Sequence, residues 1–288
     1  MYFLYLLAAI LPAIVLVLYA YKQDQFPEPP RIVFKTFLFG CATVLAIDLV
    51  IPLLDDYSKE YFKGETYLFF QNFIRAAFVE EFFKACVIIF YCTRKTAFDE
   101  PMDGVIYGIA ASLGFAAYEN IDYVLYFEKD PSFDIALVRA FTAIPMHALC
   151  GIIMGFLISQ SIFEKKHNYL NLFLALFIPV GMHGLYNFSF SSTLVSYQVA
   201  YFILIIFSIR AYLIFKNLKI RQKQSIIFNK RYYNISITSF INISTNILII
   251  YLVLNYLINL INWYYEIAKI IVINQLFEDI EKRQKSNF

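Results

Sequence analysis

Glu80, Glu81 and Lys84 lie inside FVEEFFKACVIIF, residues 78–90, a run that is otherwise apolar and aromatic. An ionisable side chain in hydrocarbon costs roughly 2.5–3.5 kcal/mol on insertion scales, so such residues face protein or water and mark a function. Along a helix Glu80 reaches Lys84 at i,i+4 and Glu81 reaches it at i,i+3. Adjacent glutamates point about 100° apart, which separates their roles. One can face the bundle axis while the other pairs with Lys84 or with a neighbouring helix. The non-catalytic alternative is a buried ion-pair network that holds this helix in register.

Three further stretches carry polar residues where lipid is expected. In GVIYGIAASLGFAAYEN, residues 104–120, Gly104 and Gly108 form a small-xxx-small pair that permits close helix approach. Glu119 lies only about 20° around the helix from Gly108, so it points toward protein. In RAFTAIPMHALCGIIMGF, residues 139–156, His147, Gly151 and Gly155 form one stripe, and Pro145 predicts a kink beside the histidine. In GMHGLYNF, residues 181–188, His183 and Asn187 share one face between small residues. A histidine and an amide so placed can orient water, bind a metal or stabilise an oxyanion. A lone histidine is more often a satisfied core residue. Depth argues otherwise: at 1.5 Å per residue, Glu80, Glu119, His147 and His183 all fall about 10–20 Å below the outer ends of their spans. Independent structural residues would scatter. Lys35, Asp48, Arg75, Arg139 and Arg210 are the other ionisable residues in the apolar runs, and His167 sits in a polar loop.

The elements that must position these residues follow from composition. Hydrophobic residues make up 60% of the 288-residue chain, above the roughly 45–50% of soluble domains. They are arranged in runs long enough to span a bilayer, at roughly 1–21, 32–54, 67–92, 104–127, 136–160, 170–190 and 193–216. The fold class is therefore all-α, a polytopic membrane bundle of seven to eight transmembrane helices with the candidate site on helices 3 to 6. Residues 1–231 form the bundle, with its motif-bearing core at 67–190. Residues 232–288 form an Ile/Asn-rich tail whose stretch 246–265 is a candidate eighth span. Residues 1–21 lack a basic leader and a small-residue cleavage site and read as a retained membrane helix. Lys22, Arg31, Arg94, Lys95, Lys165, Lys166 and the basic cluster from Lys216 to Arg231 fall on one side, against Lys59, Lys63 and Lys129 on the other. The positive-inside rule then puts the N-terminus outside. A net charge of +2 gives no reason to expect nucleic acid; the partners are the lipid bilayer and whatever substrate the site takes. Cys41, Cys86, Cys92 and Cys150 form no CxxC pair and read as small buried hydrophobes.

Carboxylates, histidines and an amide are the inventory of a hydrolase, in which a buried glutamate can act as general base on water. Histidine nitrogen with carboxylate oxygen also suits zinc at an open site. No GxSxG, HExxH or P-loop is present, so any metal site must be assembled across helices. The order EEFFK (80–84), GFAAYEN (114–120), His147 followed by glycines, and HGLYNF (183–188) resembles the PrsW family of intramembrane proteases. That family is related to the CAAX prenyl endopeptidases and the abortive-infection membrane proteases. The wider pattern is E-E-x-x-x-R, F-x-x-x-H and H-x-x-x-N. Here Lys84 stands one position early, Glu119 replaces the histidine after Phe115, and His183 and Asn187 are kept. These departures, and the additional His147, match the PrsW-like branch. The likeness covers roughly residues 70–190.

The resemblance implies an endopeptidase that cuts a membrane-anchored protein near the outer face, of the anti-sigma-factor kind in the best-known case. It implies Glu80 as general base, with Glu119 or His147 orienting the water. His183 and Asn187 would stabilise the oxyanion or complete a metal site, and Glu81 and Lys84 would support. A zinc ion is the implied cofactor, with His147, His183 and Glu119 as its candidate ligands. A non-catalytic scaffold of the same fold, and a proton-coupled transporter, are the alternatives.

Overall fold

The computed structural model describes residues 2–126, 130–163 and 168–228. The tail at 232–288 with its candidate span, and His167, lie outside them. Among the described residues all long regular structure is helical: α1 (Tyr2–Tyr21), α2 (Pro30–Tyr61), α3 (Gly64–Phe69), a π-helical segment (Phe70–Phe78), α4 (Val79–Phe90), α5 (Pro101–Tyr126), α6 (Phe133–Phe141), α7 (Ala143–Phe163), α8 (Asn168–Ser191) and α9 (Gln198–Phe228). α2 opens on Pro30, whose missing N–H is an orphan at a helix start anyway.

α5 is the axis. Every residue from Pro101 to Ala117 is buried, and many are small. The reason is visible at its glycines. A Cβ on Gly108 would stand 2.1 Å from the Gly151 carbonyl oxygen, and one on Gly155 would stand 1.8 Å from that of Gly104. On the opposite side, a Cβ on Gly114 would meet the Phe37 carbonyl oxygen at 2.0 Å. α7 and α2 thus approach α5 to backbone contact, the arrangement by which helices associate where lipid removes the hydrophobic drive. Gly155→Leu should break it. We expect either no folded protein or a melting temperature in detergent lowered by at least about 10 °C, as overpacking in a filled interior costs several kcal/mol. An unchanged melting curve would contradict the packing.

The outer helices show the opposite pattern. Leu45, Leu49 and Leu53 of α2 form an exposed stripe, as do Leu4, Leu7, Leu11 and Leu18 of α1. Apolar surface of that extent belongs against lipid. Among the described residues, five helices are long and apolar enough to cross a membrane: Tyr2–Tyr21, Pro30–Tyr61, Phe133–Phe163, Asn168–Ser191 and Gln198–Gln224. The expected spans at 67–92 and 104–127 are not among these. The first is interrupted by the π-helical segment and carries four charged residues; the second is the buried axis, rich in glycine and alanine.

Two local departures have physical causes. The π-helical turns at Phe70–Phe78 are wedged between α2 and α8: Arg75 pairs with Asp55 at 2.6 Å, Gln71 donates to Ser58, Asn72 donates to Ser191, and the Phe73 ring fills the space beside Gly184. The widened turns shift the angular register of everything after them. The fifth span breaks at Thr142, between α6 and α7. Pro145 has no N–H to give to the Phe141 carbonyl and its ring crowds that oxygen, so the break falls one turn before the proline. The four cysteines are free thiols, Cys92 and Cys150 buried, Cys41 and Cys86 half-buried.

Candidate active site

Five helices converge on one chain of polar contacts. α4 supplies Glu80, Glu81 and Lys84. Its regular turn places both carboxylates against the lysine: Nζ lies 2.8 Å from Glu81 Oε1 and 3.5 Å from Glu80 Oε2. The same Nζ lies 3.1 Å from His147 Nδ1 on α7 and 3.9 Å from the centre of the Phe115 ring on α5, a desolvated cation–π contact. His183 on α8 approaches Glu81 Oε1 through Nδ1 at 3.0 Å and Glu80 Oε2 at 3.8 Å. The two imidazoles meet edge to face with centroids 5.0 Å apart. Beyond His147, its Nε2 lies 3.0 Å from Glu119 Oε2, which also accepts from Arg139 Nη2 of α6 at 2.6 Å.

Proton positions follow from the partners. An ammonium only donates, so His147 Nδ1 accepts from Lys84 and its Nε2–H donates to Glu119. His147 is therefore held as the neutral Nε2–H tautomer. His183 donates from Nδ1 to Glu81. The glutamates differ in access: the Glu80 side chain retains 11% exposure and Glu81 none. Glu81 Oε2 is buried with no hydrogen-bond partner, an arrangement that calls for a cation, a proton or a water.

The expected residues are mostly gathered here. Glu80, Glu81, His147 and His183 each offer an atom within 4.8 Å of the others. Glu119 stands one step outside, behind His147. Asn187, one turn along α8 from His183, is half-buried, and its side chain hydrogen-bonds to no member of the cluster among the described residues. Arg139 and Asn120 were not singled out by motif. Asn120 accepts from Arg139 Nε at 2.6 Å and donates to the Ala9 carbonyl of α1 at 3.1 Å. The available signal was that an arginine within the bilayer needs a carboxylate, and Glu119 has no cationic partner on its own helix.

Two imidazole nitrogens and two carboxylates fit a zinc-class ion. Glu80, Glu81, His147 and His183 place their donor atoms close enough together to hold an ion, while Glu119 Oε2 accepts from Arg139 and lies 3.0 Å from His147 Nε2. For His147 to ligate through Nδ1, Lys84 must turn aside.

The profile of the PrsW family intramembrane metalloproteases matches residues 28–212, which contain every residue of the cluster. The chain belongs to the PrsW family. It is 32% identical over 209 residues to the Protease PrsW of Oceanobacillus iheyensis, covering 70% of this chain and 93% of that protein. It is 36% identical over 183 residues to the Protease PrsW of Bacillus subtilis, covering 63% and 80%. No solved structure matches. As a PrsW family member the protein is an integral membrane peptide-bond hydrolase of the metalloprotease class.

Proposed function

We propose that this PrsW family enzyme cuts a single-pass membrane-anchored protein, of the anti-sigma-factor kind, near the outer face of a bacterial plasma membrane, with Glu80 as the base that works on water. The observation that carries the assignment is the difference between the two glutamates. Glu80 keeps accessible surface; Glu81 is sealed and tied to Lys84 and His183. Water and substrate can reach only the former. His147, fixed in one tautomer between Lys84 and Glu119, and His183, oriented by Glu81, present defined polarity to whatever enters. Asn187, on the same face of α8 as His183, is available to a substrate carbonyl. A metal ion held by Glu81, His147 and His183 would polarise that carbonyl and acidify a water, leaving Glu80 for the proton.

The third helical run, Gly64–Phe90, and α5 complete a seven-span bundle in this reading. α5 alone has 26 residues, about 39 Å at 1.5 Å each, enough for a core of about 30 Å. Lys219 of α9 bonds Gln23, and Gln222 bonds Asp24 and Glu100. The connections after the first and third spans therefore meet the end of α9 on one side. That is the face on which Lys22, Arg94, Lys95, Lys219 and Lys223 accumulate, which supports a cytoplasmic assignment with the N-terminus outside.

The test is cleavage in proteoliposomes, with a panel of single-pass proteins from the same cell, with and without a zinc chelator. We expect one panel member to be cut by the wild type, inhibition by the chelator, and recovery on adding back zinc. Cleavage indifferent to the chelator would remove the metal and leave glutamate chemistry alone.

A further inference from the structure

A second group of carboxylates lies where the α1–α2 loop, the start of α5 and α9 meet. Asp24, Glu100 and Asp103 each place an oxygen within 4.8 Å of the others and are 6%, 4% and 0% exposed. Glu28, also buried, lies against Asp103 and accepts from the Tyr107 hydroxyl. Some of this is helix-end chemistry: Asp103 Oδ2 accepts from the N–H groups of Asp99 at 2.7 Å and Glu100 at 2.6 Å, which caps α5. Gln222 Nε2 donates to Asp24 Oδ1 at 2.6 Å and to Glu100 Oε1, and Asp24 Oδ1 also accepts from the Phe26 N–H. After those bonds, Asp24 Oδ2 and Asp103 Oδ1 remain buried with no hydrogen-bond partner.

Two orphan carboxylate oxygens, from a loop and a helix start, are expensive unless positive charge meets them. We propose that Asp24, Glu100 and Asp103, with Glu28 beside them, bind a hard divalent cation, calcium or magnesium, that ties the α1–α2 loop to the start of α5 beside α9. The donors are all oxygen, which selects calcium or magnesium over zinc. Asp103 and Glu119 are sixteen residues apart on α5, about 24 Å, so this site is separate from the cluster around Glu80 and does not rest on the function proposed for it.

The experiment is equilibrium dialysis of the purified full chain in detergent against radioactive calcium, after stripping with a chelator. We expect one calcium per chain in wild type and in Glu80→Gln, and at least tenfold weaker binding in Asp24→Asn. Saturable binding unaltered by Asp24→Asn would place the ion elsewhere and overturn the proposal. If Asp24→Asn does not fold, wild type decides through terbium luminescence. Tyrosine-sensitised emission that calcium displaces at one equivalent supports the site. No saturable calcium or terbium binding at millimolar concentration means that protons or the Arg221 guanidinium neutralise the carboxylates, and the site is refuted.

Discussion

Glu80→Gln is expected to leave the bundle folded and to lower cleavage by about three orders of magnitude. Removing a general base costs about 10²–10⁴-fold, and in a site that acts as a unit one removal can cost nearly as much as removing every member. Glutamine keeps the volume and can still accept from Lys84, which in any case holds its shorter contact to Glu81 at 2.8 Å. Glu80 is also the less enclosed carboxylate, so its charge is less needed by the fold. A melting temperature within about 3 °C of wild type should therefore accompany the lost activity, because the volume is kept and Lys84 retains its shorter partner Glu81. Glu81→Gln makes the useful contrast: it removes the charge that Lys84 and His183 share at full burial, and should lose stability as well as activity. Activity of Glu80→Gln within threefold of wild type, measured on the same liposomes, would move the base to another residue.

How much of this was legible in the sequence depends on whether one helix or two were needed to see it. The pairing of Glu80 and Glu81 with Lys84 is a property of one regular helix, and α4 begins at Val79, just in time for the i,i+3 and i,i+4 spacing to hold. The glycine stripes were readable for the same reason: Gly104 and Gly108 on α5, and Gly151 and Gly155 on α7, each declare a close approach, and the partner of each turned out to be the other. The family order of motifs was legible too. What one helix does not contain was missed. The π-helical turns before Val79 arise from anchors on α2 and α8, namely Asp55, Ser58 and Ser191, and no local propensity announces them. Because that segment is π-helical, Glu80 does not stand at the depth that an α-helical rise from Tyr67 would give. The pairing of Arg139 with Glu119, and of Lys84 with His147, depends on interhelical register. So does the position of Glu119, one contact removed from Glu80, Glu81 and His183 behind His147. The break at Thr142 was half visible: Pro145 was noticed, but the distortion falls at the carbonyl the ring crowds, four residues back, rather than at the histidine.

Lys84→Met tests whether that register is held by charge. The lysine is fully buried, lies over Phe115 at 3.9 Å, and joins Glu81, Glu80 and His147 across α4 and α7. Methionine matches its length and apolar stem but donates nothing. Breaking a buried pair from one side leaves an uncompensated charge and costs about 3–5 kcal/mol. Glu81, with Oε2 already unpartnered, would then keep only its bond from His183. We expect a lower melting temperature in detergent and little or no cleavage. Lys84→Arg should not rescue either property, because a planar guanidinium does not fit a position that an ammonium shares among three partners. The substitution also releases His147 Nδ1, whose lone pair Lys84 occupies in the structure. Zinc should accordingly raise the melting temperature of Lys84→Met by more than it raises that of wild type, since a divalent ion at Glu81, His147 and His183 replaces the missing charge. Methionine at 84 with wild-type stability would mean that the carboxylates carry protons in the resting enzyme. Equal zinc responses in the two proteins would mean that Lys84 does not stand between His147 and the metal.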